Sequence, residues 1–134
     1  GMALRFKDGG SELNDANYDY QHFQARATGD TTSDLSYANQ GVDQTLMIMF
    51  HDQFATTASR FQFILHVPDP QQSQHAYNSL NMTFRVQDNS NRECTGFAGG
   101  SYRVSTNAVD GLHFGTTGGN VGGYHINLYG LNDS

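Results

Sequence analysis

Apolar and polar residues alternate with a period of two in most hydrophobic stretches of this chain, the pattern of strands that bury one face. Leu4 and Phe6 mark a short first strand that stops at Asp8-Gly9-Gly10, a turn signal. Tyr18 to Phe23 alternates aromatic with polar residues, continues through Ala25 and Ala27 to Gly29-Asp30, and reads as a second strand. A helix is its rival, because Tyr20, Phe23 and Ala27 also fall at i, i+3 and i+7. Ser36 to Gly41 reads as a loop or a short strand. Thr45 to Phe50 (TLMIMF) is a continuous apolar run, which predicts a central strand covered on both sides. Phe61, Phe63, Leu65 and Val67 form an alternating strand closed by Pro68-Asp69-Pro70, since proline has no ladder donor. Leu80, Met82, Phe84 and Val86 form another, ending at Asp88-Asn89-Ser90-Asn91, and Glu93 to Phe97 and Tyr102 to Val104 read as shorter pieces.

The last stretch, Val109 to Leu131, predicts a closing antiparallel hairpin. Leu112 and Phe114 alternate with His113 in its first arm, and Tyr124, Ile126 and Leu128 alternate with His125, Asn127 and Tyr129 in its second. Gly115, Gly118, Gly119, Gly122 and Gly123 lie between the arms, where positive φ is needed for a tight reversal. Centring the hairpin near Gly119 sets His113 opposite His125, Phe114 opposite Tyr124 and Leu112 opposite Ile126. In that register Leu112, Phe114, Ile126 and Leu128 enter the core and Asn127 points away.

This stretch resembles the C-terminal signature of a family of tailed-bacteriophage virion proteins: an apolar strand, a small-Gly-Asn-Ile turn, a second Gly and a closing LYGI or LYGL. Val109, Gly111, Leu112, Phe114, Gly119, Asn120, Val121, Gly123, Leu128, Tyr129, Gly130 and Leu131 match it, and Gly100-Ser101-Tyr102-Arg103 sits where members often have Gly-x-Tyr-Arg. Gly122-Gly123-Tyr124-His125 departs from it, because members more often have a small residue and Thr there. The resemblance covers the last third of the chain and implies a virion component, such as a tail-fibre or receptor-binding module. It also implies a homo-oligomer, expected to be a trimer, in contact with other virion proteins.

Short strands separated by turn clusters predict an all-β protein, an antiparallel β-sandwich of the jelly-roll kind. About eight strands suit two packed sheets, and the resemblance implies the same. At 134 residues the chain is expected to be one domain, with Gly1 ahead of Met2 read as a remnant of tag removal.

Composition narrows the functional classes. Only 15% of residues are charged, so the chain's polarity comes from Asn, Gln, Ser, Thr and Gly, as on many β-rich binding modules. The net charge is -6, with 7 scattered Lys and Arg, whereas a nucleic-acid binder needs a basic stripe against phosphates. No apolar run approaches a membrane span and Met2-Ala3-Leu4 opens no signal-peptide core, so no membrane partner is expected. Cys94 is alone, which excludes an intrachain disulfide and a thiolate metal cluster, and it reads as a half-buried strand residue.

No catalytic constellation stands out, and an enzyme is not expected, although a polysaccharide-degrading carboxylate pair among Asp15, Asp19, Asp30, Asp34 and Asp43 would be hard to see. His51-Asp52 are neighbours that a strand would point to opposite faces. The six histidines show no zinc spacing, and no cofactor or metal is expected; the cross-strand pair His113 and His125 is the nearest thing to a candidate. Tyr37, Tyr77 and Tyr102, read as loop aromatics, are the candidates for stacking on the sugar rings of a host surface glycan. The competing readings are a purely structural head-decoration or tail-assembly subunit and a cellular carbohydrate-binding jelly roll.

Overall fold

The computed structural model describes residues 1–26, 35–50, 61–68, 78–87, 93–104, 109–117 and 125–129. All the regular elements among them are strands: β1 (Met2–Asp8), β2 (Ser11–Glu12), β3 (Tyr18–Arg26), β4 (Leu35–Gln44), β5 (Met47–Phe50), β6 (Gln62–His66), β7 (Asn78–Gln87), β8 (Glu93–Tyr102) and β9 (Gly111–Thr116). They form two antiparallel sheets. In the smaller, β1 pairs with β2 and β5 along one edge and with β9 along the other; the larger runs β4-β3-β8-β7-β6. The β1–β9 and β3–β8 pairings nest one inside the other. The chain is therefore an all-β antiparallel sandwich.

Alternation decides what each strand buries. Leu4 and Phe6 of β1 meet Tyr18 and Tyr20 of β3, Leu80, Met82, Phe84 and Val86 of β7, and Cys94, Ala98 and Tyr102 of β8 in one buried core. Cys94 is fully buried, deeper than its neighbours in the sequence indicate. The strand reading of Tyr18 to Phe23 holds and its helical rival falls, because Tyr18, Tyr20, His22 and Gln24 all point inward at a spacing of two.

Four expectations are corrected. The run at β5 is not a central strand: among the described strands it pairs with β1 alone, at the sheet's edge. Its continuous burial comes from a bulge, with Ala3 facing Ile48 but Met2 facing Phe50, so that Met49 and Phe50 are both buried. Ser36 to Gly41 belongs to a ten-residue strand, β4. The two pieces expected around Glu93 and Tyr102 are a single strand, β8, which passes through Gly96, Gly99 and Gly100. Glycine lowers strand propensity, but at Gly100 it is required: a Cβ there would lie 2.5 Å from Met47 Sδ and 2.7 Å from the Asp19 carbonyl oxygen.

The fourth correction concerns the closing hairpin. β9 pairs with β1, setting Phe114 opposite Leu4 and His113 opposite Arg5. Leu112 and Phe114 do pack on the core, but Ile126 and Leu128 do not: they are 42% and 94% exposed, in a segment outside both sheets. The reversal from Gly118 to Gly123 lies outside the described residues.

Candidate functional site

The outer face of the five-stranded sheet holds a concavity of about 1000 Å³, open to solvent. The strand register sets out this face of the sheet in rows, of which the β4, β3 and β8 positions and Asn81 of β7 line the concavity. One row crosses all five strands as Gln40, Gln21, Gly99, Asn81 and His66. The next runs Ala38, Phe23, Phe97, Thr83 and Ile64. At roughly 4.8 Å between strands each row spans about 19 Å.

The chemistry of the two rows differs. In the first, Gln21, Gln40 and Asn81 are exposed amides, each able to donate and accept. Gly99 sits between Gln21 and Asn81 and leaves a dip, since a Cβ there would approach the Asn81 Oδ1 to 3.1 Å. In the second, Phe23 and Phe97 stack across β3 and β8 with ring centroids 5.3 Å apart and planes inclined at 27°. Phe97 is 59% exposed, so one ring face stands open to solvent. A flat apolar platform next to a strip of neutral donors and acceptors matches a sugar ring, apolar on one face and hydroxylated at its rim.

Charge is confined to the margin. The lining carboxylate, Asp19, is 3.3 Å from Arg103, which also pairs with Asp43. Asp43 takes a positive φ of 56°, and its backbone N–H donates to Asp19 Oδ1 at 3.1 Å. These contacts fix the turn out of β4 beside the concavity.

The tyrosine candidates do not assemble into this site. Tyr102 is 2% exposed: its ring packs against Tyr18 at 4.8 Å and its hydroxyl donates to Asp15 Oδ1 at 2.7 Å, so it cannot stack on a ligand. Its place at the end of β8, in phase with the buried Cys94 and Ala98, puts it in the core rather than in a loop. Tyr37 lies in β4 opposite Gln24, and Tyr77 falls outside the described residues. The histidine pair is not brought together as a cross-strand pair either. His113 Nδ1 lies 2.6 Å from Glu12 Oε1, whereas His125 Nε2 lies 2.9 Å from Asn127 Oδ1. The hydrogen bond from His113, aided by Arg5, holds the Glu12 carboxyl below its ordinary range. No group of three or more His, Cys, Asp or Glu among the described residues is arranged to hold a metal ion.

Sequence reasoning missed Phe23 and Phe97. The signal was present in β3: the aromatic spacing changes parity between Tyr20 and Phe23, so a strand that buries the tyrosines must expose the phenylalanine.

Comparison with protein-family models, curated proteins and solved structures gives no match.

Proposed function

We propose that this protein is an attachment module that binds a host-surface glycan through the outer face of its five-stranded sheet, as a receptor-binding component of a phage virion. The observation that carries the glycan reading is the Phe23–Phe97 platform beside the Gln40–Gln21–Asn81 strip. The virion setting is supported by the C-terminal resemblance, from Val109 to Leu131. A cellular carbohydrate-binding domain would use the same face.

A glycan array followed by calorimetry on the best binder tests the reading. Phe97→Ala is expected to weaken binding about tenfold, the loss of one aromatic stacking contact. The circular dichroism spectrum is expected to stay unchanged, because the ring is largely exposed. Absence of binding to any glycan, or full affinity in Phe97→Ala, would overturn it.

A further inference from the structure

The outer face of the five-stranded sheet carries a second hollow beside the first. It has a volume of about 240 Å³, and Ile64, His66, Asn81, Thr83 and Phe97 line it. Asn81 and Phe97 line the larger concavity as well, so the two hollows adjoin along the rows that cross the strands. The chemistry of the first is repeated in the second. Ile64, 76% exposed and outside the buried core, continues the apolar row of Phe23 and Phe97, while His66 continues the polar row of Gln21 and Asn81.

Distance decides how much ligand this arrangement takes. Phe97 is one strand from Phe23 and two from Ile64, so the apolar row covers three strand spacings, roughly 14 Å at about 4.8 Å each. A single pyranose ring is far shorter, and one stacked on Phe23 and Phe97 leaves Ile64 uncovered. A sugar unit in an extended chain advances by about one strand spacing, so about four units reach across the row.

We propose that this face holds a stretch of an uncharged, extended glycan chain laid across the strands, with one unit stacked on Phe23 and Phe97 and a later unit resting on Ile64. This specificity rests on the glycan reading above and adds the length and shape of the ligand. Among the described residues neither hollow is lined by Lys or Arg, which leaves an acidic chain without a counter-charge. Both hollows open on one face of one sheet, so successive rings must lie nearly in one plane. A chain joined through equatorial bonds is an extended ribbon and meets that condition, whereas an axially joined chain coils away from it.

The test is calorimetry with cello-, manno-, xylo- and chito-oligosaccharides from the disaccharide to the hexasaccharide, with malto-oligosaccharides as the coiled counterpart. In at least one extended series affinity is expected to rise about tenfold from the disaccharide to the tetrasaccharide and then to level off. Ile64→Ala is expected to weaken the tetrasaccharide about fivefold and to leave the disaccharide, held by the phenylalanine platform, unchanged. The circular dichroism spectrum of this variant should match the parent, because the side chain is mostly exposed. Equal affinity for disaccharide and tetrasaccharide, an Ile64→Ala effect that is the same at both lengths, or preference for the malto series would overturn the assignment of an extended chain and leave glycan binding standing. Failure of every extended series, with another glycan bound on the array, would do the same. Absence of binding to any glycan would overturn both.

Discussion

Two tyrosine hydroxyls show how single atoms fix this fold. Tyr18 donates to the Leu13 carbonyl at 2.7 Å and accepts from the Phe6 N–H at 3.0 Å, while Tyr102 donates to Asp15. Asp15 in turn accepts from Asn17 Nδ2 at 2.6 Å, so the connection from β2 to β3 is tied to the core at both ends. Tyr102→Phe keeps the ring and deletes a bond to a carboxylate, and is expected to cost about 1.5–3 kcal/mol in urea unfolding. The same burial sets an alkaline limit. It pushes the Tyr18 hydroxyl up to about 12, against the opposing hydrogen bond from Phe6, and raises Tyr102 further, helped by its bond to Asp15. A raised folded-state value favours the neutral form, so stability is complete below the ordinary tyrosine value near 10 and declines as pH rises through the folded value. Denaturant midpoints measured across that range should fall, and fall less steeply in Tyr18→Phe.

At the scale of elements, two adjacent glycines of β8, Gly99 and Gly100, separate folding from binding. Gly100 faces the core against Met47, and Gly100→Ala should destabilise by about 1–3 kcal/mol through overpacking. Gly99 faces outward, where its nearest neighbour is the end of the Asn81 side chain, so Gly99→Ala should leave the unfolding midpoint nearly unchanged and disturb the site. A larger loss of stability from Gly99→Ala than from Gly100→Ala would reverse the assigned faces of β8. The pair also shows what was legible in the sequence. Leu80 to Val86 announced β7 through unbroken alternation, and its turn residues marked where it stops. β8 was legible only in fragments, because Gly100 is explained by Met47 of the opposite sheet and Gly96 by the Phe23 carbonyl and the Phe84 ring of neighbouring strands, contacts with no local signature. β9 was placed correctly as a strand and given the wrong neighbour, since alternation fixes a face and not a partner. The site was the least legible part: Phe23 and Phe97 become neighbours only once β3 and β8 pair.

For the whole molecule, charge distribution separates the glycan reading from electrostatic attachment. The protein carries a net charge of -6, and Arg103, at the margin of the concavity, is paired with Asp19 and Asp43. A ligand held by aromatic stacking and neutral amides gains nothing from counterion release, so affinity for an uncharged glycan should be the same at low and high salt. Anionic glycans should bind more weakly than their neutral counterparts, most of all at low salt, where repulsion by the acidic protein is least screened. Calorimetric titrations of one glycan with and without an acidic substituent, each at two ionic strengths, measure both effects together. Tighter binding of the acidic form at low salt would mean that the ligand is held by cations, and the Phe23–Phe97 face would then not be the place where attachment occurs.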